Sequence, residues 1–146
     1  MAGGTPVYVP LTFVPYNSNN DNNDNKEVMG GTWILEPEKL EGAISSNTRA
    51  IVLNYPHNPT GKVFTFSEMQ AIAGCVEAAG PQCVVISDEV YKYIVHSPPK
   101  QDKEDADDPT TSPSCPGHVH FASLPGMWDR TLTVSSAGKT FFATGW

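Results

Sequence analysis

Residues 83–91 read CVVISDEVY, an apolar run that passes directly into a serine and two acids. A run this short, and apolar at consecutive positions, suits a strand buried on both faces of a parallel sheet. Two acids at its end are costly there unless they are solvated, paired or used. Two further runs match it, AIVL at 50–53 and TLTV at 131–134. Between the first two lies a helical pattern. Thr65 and Glu68 have capping-box spacing, Met69, Ile72, Ala73 and Val76 share a face, and Gly80-Pro81 stops the helix. A shorter helix is expected over Glu36–Ile44, with Pro37 in its first turn, and a strand over Val7–Leu11, weakened by Pro10. Strands alternating with helices predict an α/β fold, a mostly parallel sheet with helices on both faces. In such sheets ligands gather at the carboxyl ends of the strands.

Composition narrows the function. The chain has 146 residues and a formal net charge of −7, and its nine Lys and Arg are scattered. That excludes the clustered basic surface of a nucleic-acid binder. No apolar run reaches the ~18 residues a membrane span needs, and MAGGTPVYVPL does not read as a signal peptide. Cys75, Cys83 and Cys115 have no CxxC spacing, so they read as two buried hydrophobes and a loop thiol in a reducing compartment, with no metal site expected. Two stretches stand apart. Asn17–Asn25 (NSNNDNNDN) reads as a flexible loop, and Ser97–Gly117, with five acids and two lysines, as a solvated insertion.

Three motifs follow the three strands. After AIVL comes NYPHNPTGK (54–62), turn chemistry that is either a plain strand-to-helix loop or a loop presenting the Asn58 amide to a ligand. After CVVI comes SDEVY (87–91); Asp88 either caps a turn or holds a cation such as a protonated ring nitrogen. After TLTV comes SSAGKT (135–140). Lys139 there is a solvated lysine, the lysine of a phosphate loop, or one forming a Schiff base. A phosphate loop needs glycine five positions before Gly138, where Thr133 stands inside the strand. The acid motif also precedes the lysine motif, against the usual order, so the Schiff-base reading is preferred.

Together NPTG, SDEVY and SAGKT, in this order, resemble the fold-type I pyridoxal-phosphate (PLP) enzymes, the class I/II aminotransferases. LPGMWDRT (124–131) points to the kynurenine aminotransferase, or cysteine-conjugate β-lyase, branch. The resemblance implies that Lys139 carries PLP and moves a proton between Cα and the cofactor. It implies that Asp88 pairs with the pyridinium nitrogen, that Tyr91 and Asn58 meet the ring hydroxyl oxygen, and that Ser136 binds phosphate. It further implies amino acid and 2-oxo acid substrates, a homodimer, and a cytoplasmic or mitochondrial enzyme. Tyr55 replaces a small residue of the family, which predicts crowding beside Asn58.

The resemblance covers only part of an aminotransferase. Residues 1–146 are expected to be a partial large PLP-binding domain, without the N-terminal arm, the upstream phosphate loop, or the small C-terminal domain with its substrate arginine. Alone they are expected to be inactive, and a non-catalytic truncated product is the alternative.

Overall fold

The computed structural model describes residues 3–15, 30–95 and 117–145. The Asn-rich stretch, and the insertion apart from Gly117, lie outside these. The elements in order are β1 (Thr12–Pro15), β2 (Gly31–Ile34), α1 (Pro37–Ala43), β3 (Ala50–Asn54), α2 (Phe66–Ala78), β4 (Val84–Asp88), β5 (Thr131–Val134) and α3 (Ala137–Thr140). Short 3-10 turns at Phe121–Ser123 and Trp128–Arg130 precede β5.

The three apolar runs form a parallel sheet in the order β3-β4-β5, as their patterning requires. The capping box is complete. Thr65 Oγ1 accepts the Glu68 N–H at 3.2 Å, and Glu68 Oε2 accepts the Thr65 N–H at 2.7 Å. α2 ends before Gly80, whose φ of +96° a residue without a Cβ adopts freely. α1 fills the expected span, with Glu36 and Ile44 as its caps.

The expected strand at Val7–Leu11 is not formed. The extended segment starts at Thr12 and pairs antiparallel with β2, Thr12 opposite Ile34 and Pro15 opposite Gly31. Pro10 has no N–H for a ladder, whereas Pro15 stands at the last position of β1, where the loss is tolerated.

Register assigns the sheet's two faces. Opposite residues of parallel neighbours share a face, so Leu53, Ser87 and Thr133 point one way, and Val52, Ile86 and Leu132 the other. The first face is the core. Met69, Ile72, Ala73 and Val76 of α2 pack with Leu53, Val85, Phe121, Leu124 and Met127, all buried. Each large side chain there contributes about 1.5–3 kcal/mol of burial. Cys75 and Cys83 lie in this core, and burial pushes both thiols up from their ordinary pKa. The fold class is the expected one, with a difference in coverage. Among the described residues the second face stands open, Val52 being 67% and Leu132 63% exposed.

Candidate functional site

The polar groups collect where the strands end. Asn54 and Asp88 close β3 and β4 opposite each other, on the open face. The Asn54 amide donates to Asp88 Oδ2 at 3.1 Å, and Asp88 Oδ1 accepts the Val90 N–H at 3.4 Å. Asn54 Oδ1 in turn accepts the Asn58 N–H at 2.9 Å. One side chain thus ties the acid to the loop after β3. The Asn58 amide, exposed, donates to the Tyr91 hydroxyl at 3.3 Å.

The loop itself is held from below. His57 N–H donates to the Lys62 carbonyl and Gly61 N–H to the His57 carbonyl, at 2.9 and 2.7 Å. Gly61 takes φ +70° in this turn, which glycine permits without strain. Lys62 Nζ then reaches Glu68 Oε1 at 2.6 Å. Glu68 therefore caps α2 with one oxygen and anchors the loop with the other.

Ser136 and Lys139 follow β5, which pairs with β4 so that Val134 stands opposite Asp88. Ser136 Oγ accepts the Lys139 N–H at 3.3 Å and starts α3. Lys139 is exposed. The structure joins Asn58 to Tyr91 and Ser136 to Lys139; among the described residues neither Ser136 nor Lys139 hydrogen-bonds Asp88, Asn58 or Tyr91. Thr133 lies within β5 opposite Ser87. Its backbone is extended, which removes the curled glycine turn a phosphate loop needs at that position.

Tyr55 does not crowd Asn58. Its side chain turns to the core face, 1% exposed, edge-on to Phe64 and stacked on His118. Its hydroxyl lies 3.0 Å from Glu89 Oε1 and 3.1 Å from Ser87 Oγ, and accepts the Phe121 N–H at 2.9 Å. Burial raises its pKa further above the usual phenol value.

Glu89 belongs to this second constellation. It is wholly buried. Burial alone would push its carboxyl up, but hydrogen bonds from His118, Ser87, His120 and Tyr55 outweigh that and hold it at about 2. Sequence reasoning passed over Asn54, Glu89, His118 and His120. The cost of two acids after a buried strand was a signal for Glu89, and the alternation of His118 and His120 a signal for its partners.

A parallel sheet with an acid, an amide, a phenol, a hydroxyl and an amine at or after successive strand ends has the architecture of α/β folds, in which ligands gather at the carboxyl ends of the strands. The family model for aminotransferase class I and II matches residues 9–146, and the chain belongs to that family. It is 42% identical over 146 residues to kynurenine–oxoglutarate transaminase 3 of Bos taurus, covering 100% of this chain and 26% of that protein. It is also 42% identical over 149 residues to kynurenine–oxoglutarate transaminase 1 of Homo sapiens, covering 100% of this chain and 29% of that protein. Among solved structures, N-succinyldiaminopimelate aminotransferase from Mycobacterium tuberculosis superposes with a TM-score of 0.62 at 38% identity, over 78% of this chain and 25% of that one. The chain thus spans about a quarter of the length of the transaminase 3 relative it matches. No described helix is long and apolar enough to cross a membrane.

Proposed function

We propose that this chain forms the cofactor-gripping part of a PLP-dependent aminotransferase that passes the amino group of kynurenine or a related aromatic amino acid to a 2-oxo acid. The observation that carries the reading is the paired ending of β3 and β4. There Asp88, half-buried and oriented by Asn54 and the Val90 N–H, lies beside the Asn58–Tyr91 pair. The donor set suits a phosphorylated pyridine: a carboxylate for the ring nitrogen, an amide and a phenol for the ring oxygen, Ser136 for the phosphate and Lys139 for the carbonyl carbon.

When bound, PLP supplies the electron sink for the pair left on the substrate Cα. Asp88 keeps the ring nitrogen protonated, because an adjacent carboxylate favours the charged form. Tyr91 and Asn58 fix the tilt of the ring through its oxygen. The Lys139 amine would hold the cofactor at its carbonyl carbon and would serve as the base that takes the proton from the substrate Cα and as the acid that gives it back. β-Elimination from cysteine conjugates would use the same proton abstraction at Lys139, followed by loss of the sulfur leaving group. In the full-length protein we assign a homodimer, working in the cytosol or the mitochondrion.

The test is chemical trapping. The full-length protein is loaded with PLP, reduced with borohydride and digested. The expected result is a pyridoxyl mass on the peptide containing Lys139, with label and kynurenine-to-oxoglutarate transfer both lost in Lys139→Ala. Label on another lysine, or transfer surviving the substitution, would overturn the assignment.

A further inference from the structure

On the core side of the sheet, Glu89, His118 and His120 converge. His118 Nε2 lies 2.8 Å from Glu89 Oε2, and His120 Nδ1 lies 2.5 Å from the same oxygen. One ligand atom from each residue falls within 4.8 Å of the other two. We propose that these three residues form a binding site for a divalent transition-metal ion, with Zn²⁺ as its probe.

The carboxylate is prepared for the role. Its Oε1 is occupied by the Ser87 hydroxyl at 2.8 Å, with the Tyr55 hydroxyl at 3.0 Å and the Phe121 N–H at 3.4 Å. Among the described residues Oε2 meets only the two imidazoles. One oxygen anchored by the protein and the other offered outward is the arrangement that outer-shell hydrogen bonds impose on a ligating carboxylate. Two imidazoles and one carboxylate make a donor set that Zn²⁺ accepts with a fourth position open to water.

Access and fit agree with this. Glu89 is buried and His118 partly so, with side-chain exposures of 0% and 7%, while the His120 side chain is 52% exposed and fronts solvent. Tetrahedral zinc with bonds of about 2.0–2.1 Å holds its ligands ~3.3 Å apart. The two imidazole–carboxylate separations must open by less than ~1 Å, and the two imidazole nitrogens, within 4.8 Å of each other, must come to the same spacing, a shift the half-exposed His120 ring can provide. On binding, each neutral ring gives its lone pair to the ion and carries its proton on the other nitrogen. Nε2 of His118, the nitrogen that faces Glu89, is that ring's contribution. His118 and His120 stand 29 and 31 positions beyond Glu89 in the chain, a separation that no local sequence pattern reports.

The test uses metal-stripped chain. Titration with Co²⁺ should produce the visible bands of a tetrahedral ion at one equivalent, and Zn²⁺ should displace it. Competition against a chromophoric chelator should show Zn²⁺ binding at least tenfold weaker in His120→Ser and lost in Glu89→Gln. Cys115→Ser and His96→Ala should bind as wild type. His120→Ser, at an exposed position, keeps the experiment readable if Glu89→Gln fails to fold. Absence of stoichiometric binding in the wild type would show a purely hydrogen-bonded cluster and overturn the proposal. So would affinity unchanged in His120→Ser or abolished in Cys115→Ser.

Discussion

Asp88 and Glu89 are adjacent in the chain, yet their carboxylates stand on opposite faces of the sheet. Asp88 meets the Asn54 amide on the open face, while Glu89 meets Ser87, Tyr55, His118 and His120 on the core face. The alternation of an extended strand produces this separation. It gives two acids of one motif unrelated work.

Glu89 should make stability depend on acid. Its carboxyl is held at about 2, against 4.5 ordinarily. A group depressed in the folded state stabilises it above the ordinary value and loses that contribution as pH falls through the folded value. Wild type should therefore exceed Glu89→Gln by about 2 kcal/mol near neutrality. The gap should close between pH about 4.5 and about 2. Urea unfolding of both proteins in the presence of chelator measures it; a gap constant over that range would contradict the pairing.

Asn54 should behave as a positioning residue. It touches both Asp88 and the Asn58 backbone, and Asn54→Ala releases both. In the full-length protein kcat/KM should fall by roughly 10–100-fold, the scale of a slight misplacement, and PLP should dissociate faster. Asn54→Asp, which keeps the acceptor for Asn58 but sets a second acid beside Asp88, should bind PLP no better than Asn54→Ala. Stopped-flow release of PLP and steady-state rates separate these outcomes.

Thr65 should matter through its hydroxyl alone. Thr65→Ala removes the acceptor of the Glu68 N–H and should cost about 1 kcal/mol, while Thr65→Ser should restore most of it. The urea midpoint should shift without a change in slope. Equal midpoints for all three proteins would remove the cap from the account of α2.

The open sheet face should drive self-association of the 146-residue chain. Val52 and Leu132 stand on either side of Ile86 in one apolar row across it, and uncovered apolar surface promotes contact between copies. Val52→Thr with Leu132→Thr should lower light scattering at equal concentration and leave the far-ultraviolet dichroism unchanged.

Much of the fold was legible in the residues themselves. AIVL, CVVI and TLTV announced three strands of a parallel sheet because short apolar runs separated by helices fit one, while burial of the second face was not met among the described residues. Thr65 and Glu68 announced the start of α2 because reciprocal capping needs those groups at that spacing. The β1–β2 hairpin was not legible: Gly31–Ile34 is short and mixed in character, and its partner lies across the Asn-rich stretch. The role of Tyr55 escaped for a related reason. Its neighbours Ser87, Glu89 and Phe121 are 32 to 66 positions away, and no local pattern reports which way a side chain turns at the end of a strand. Asn58, Asp88 and Tyr91 were singled out from motifs at the ends of β3 and β4; Asn54, the first residue of the first motif, bore no such mark because its contacts with Asp88 and Asn58 arise only once β3 and β4 pair.

The opposed directions of Asp88 and Glu89 set a rule for how β4 can change over time. Replacing Val84 or Ile86 by another apolar residue leaves both acids where they are. Losing or gaining a single codon within the strand would swap them, presenting the buried acid to the open face and turning the half-buried one into the core. Reading-frame-preserving variants of this gene should therefore show substitutions in β4 freely and one-residue length differences there almost never.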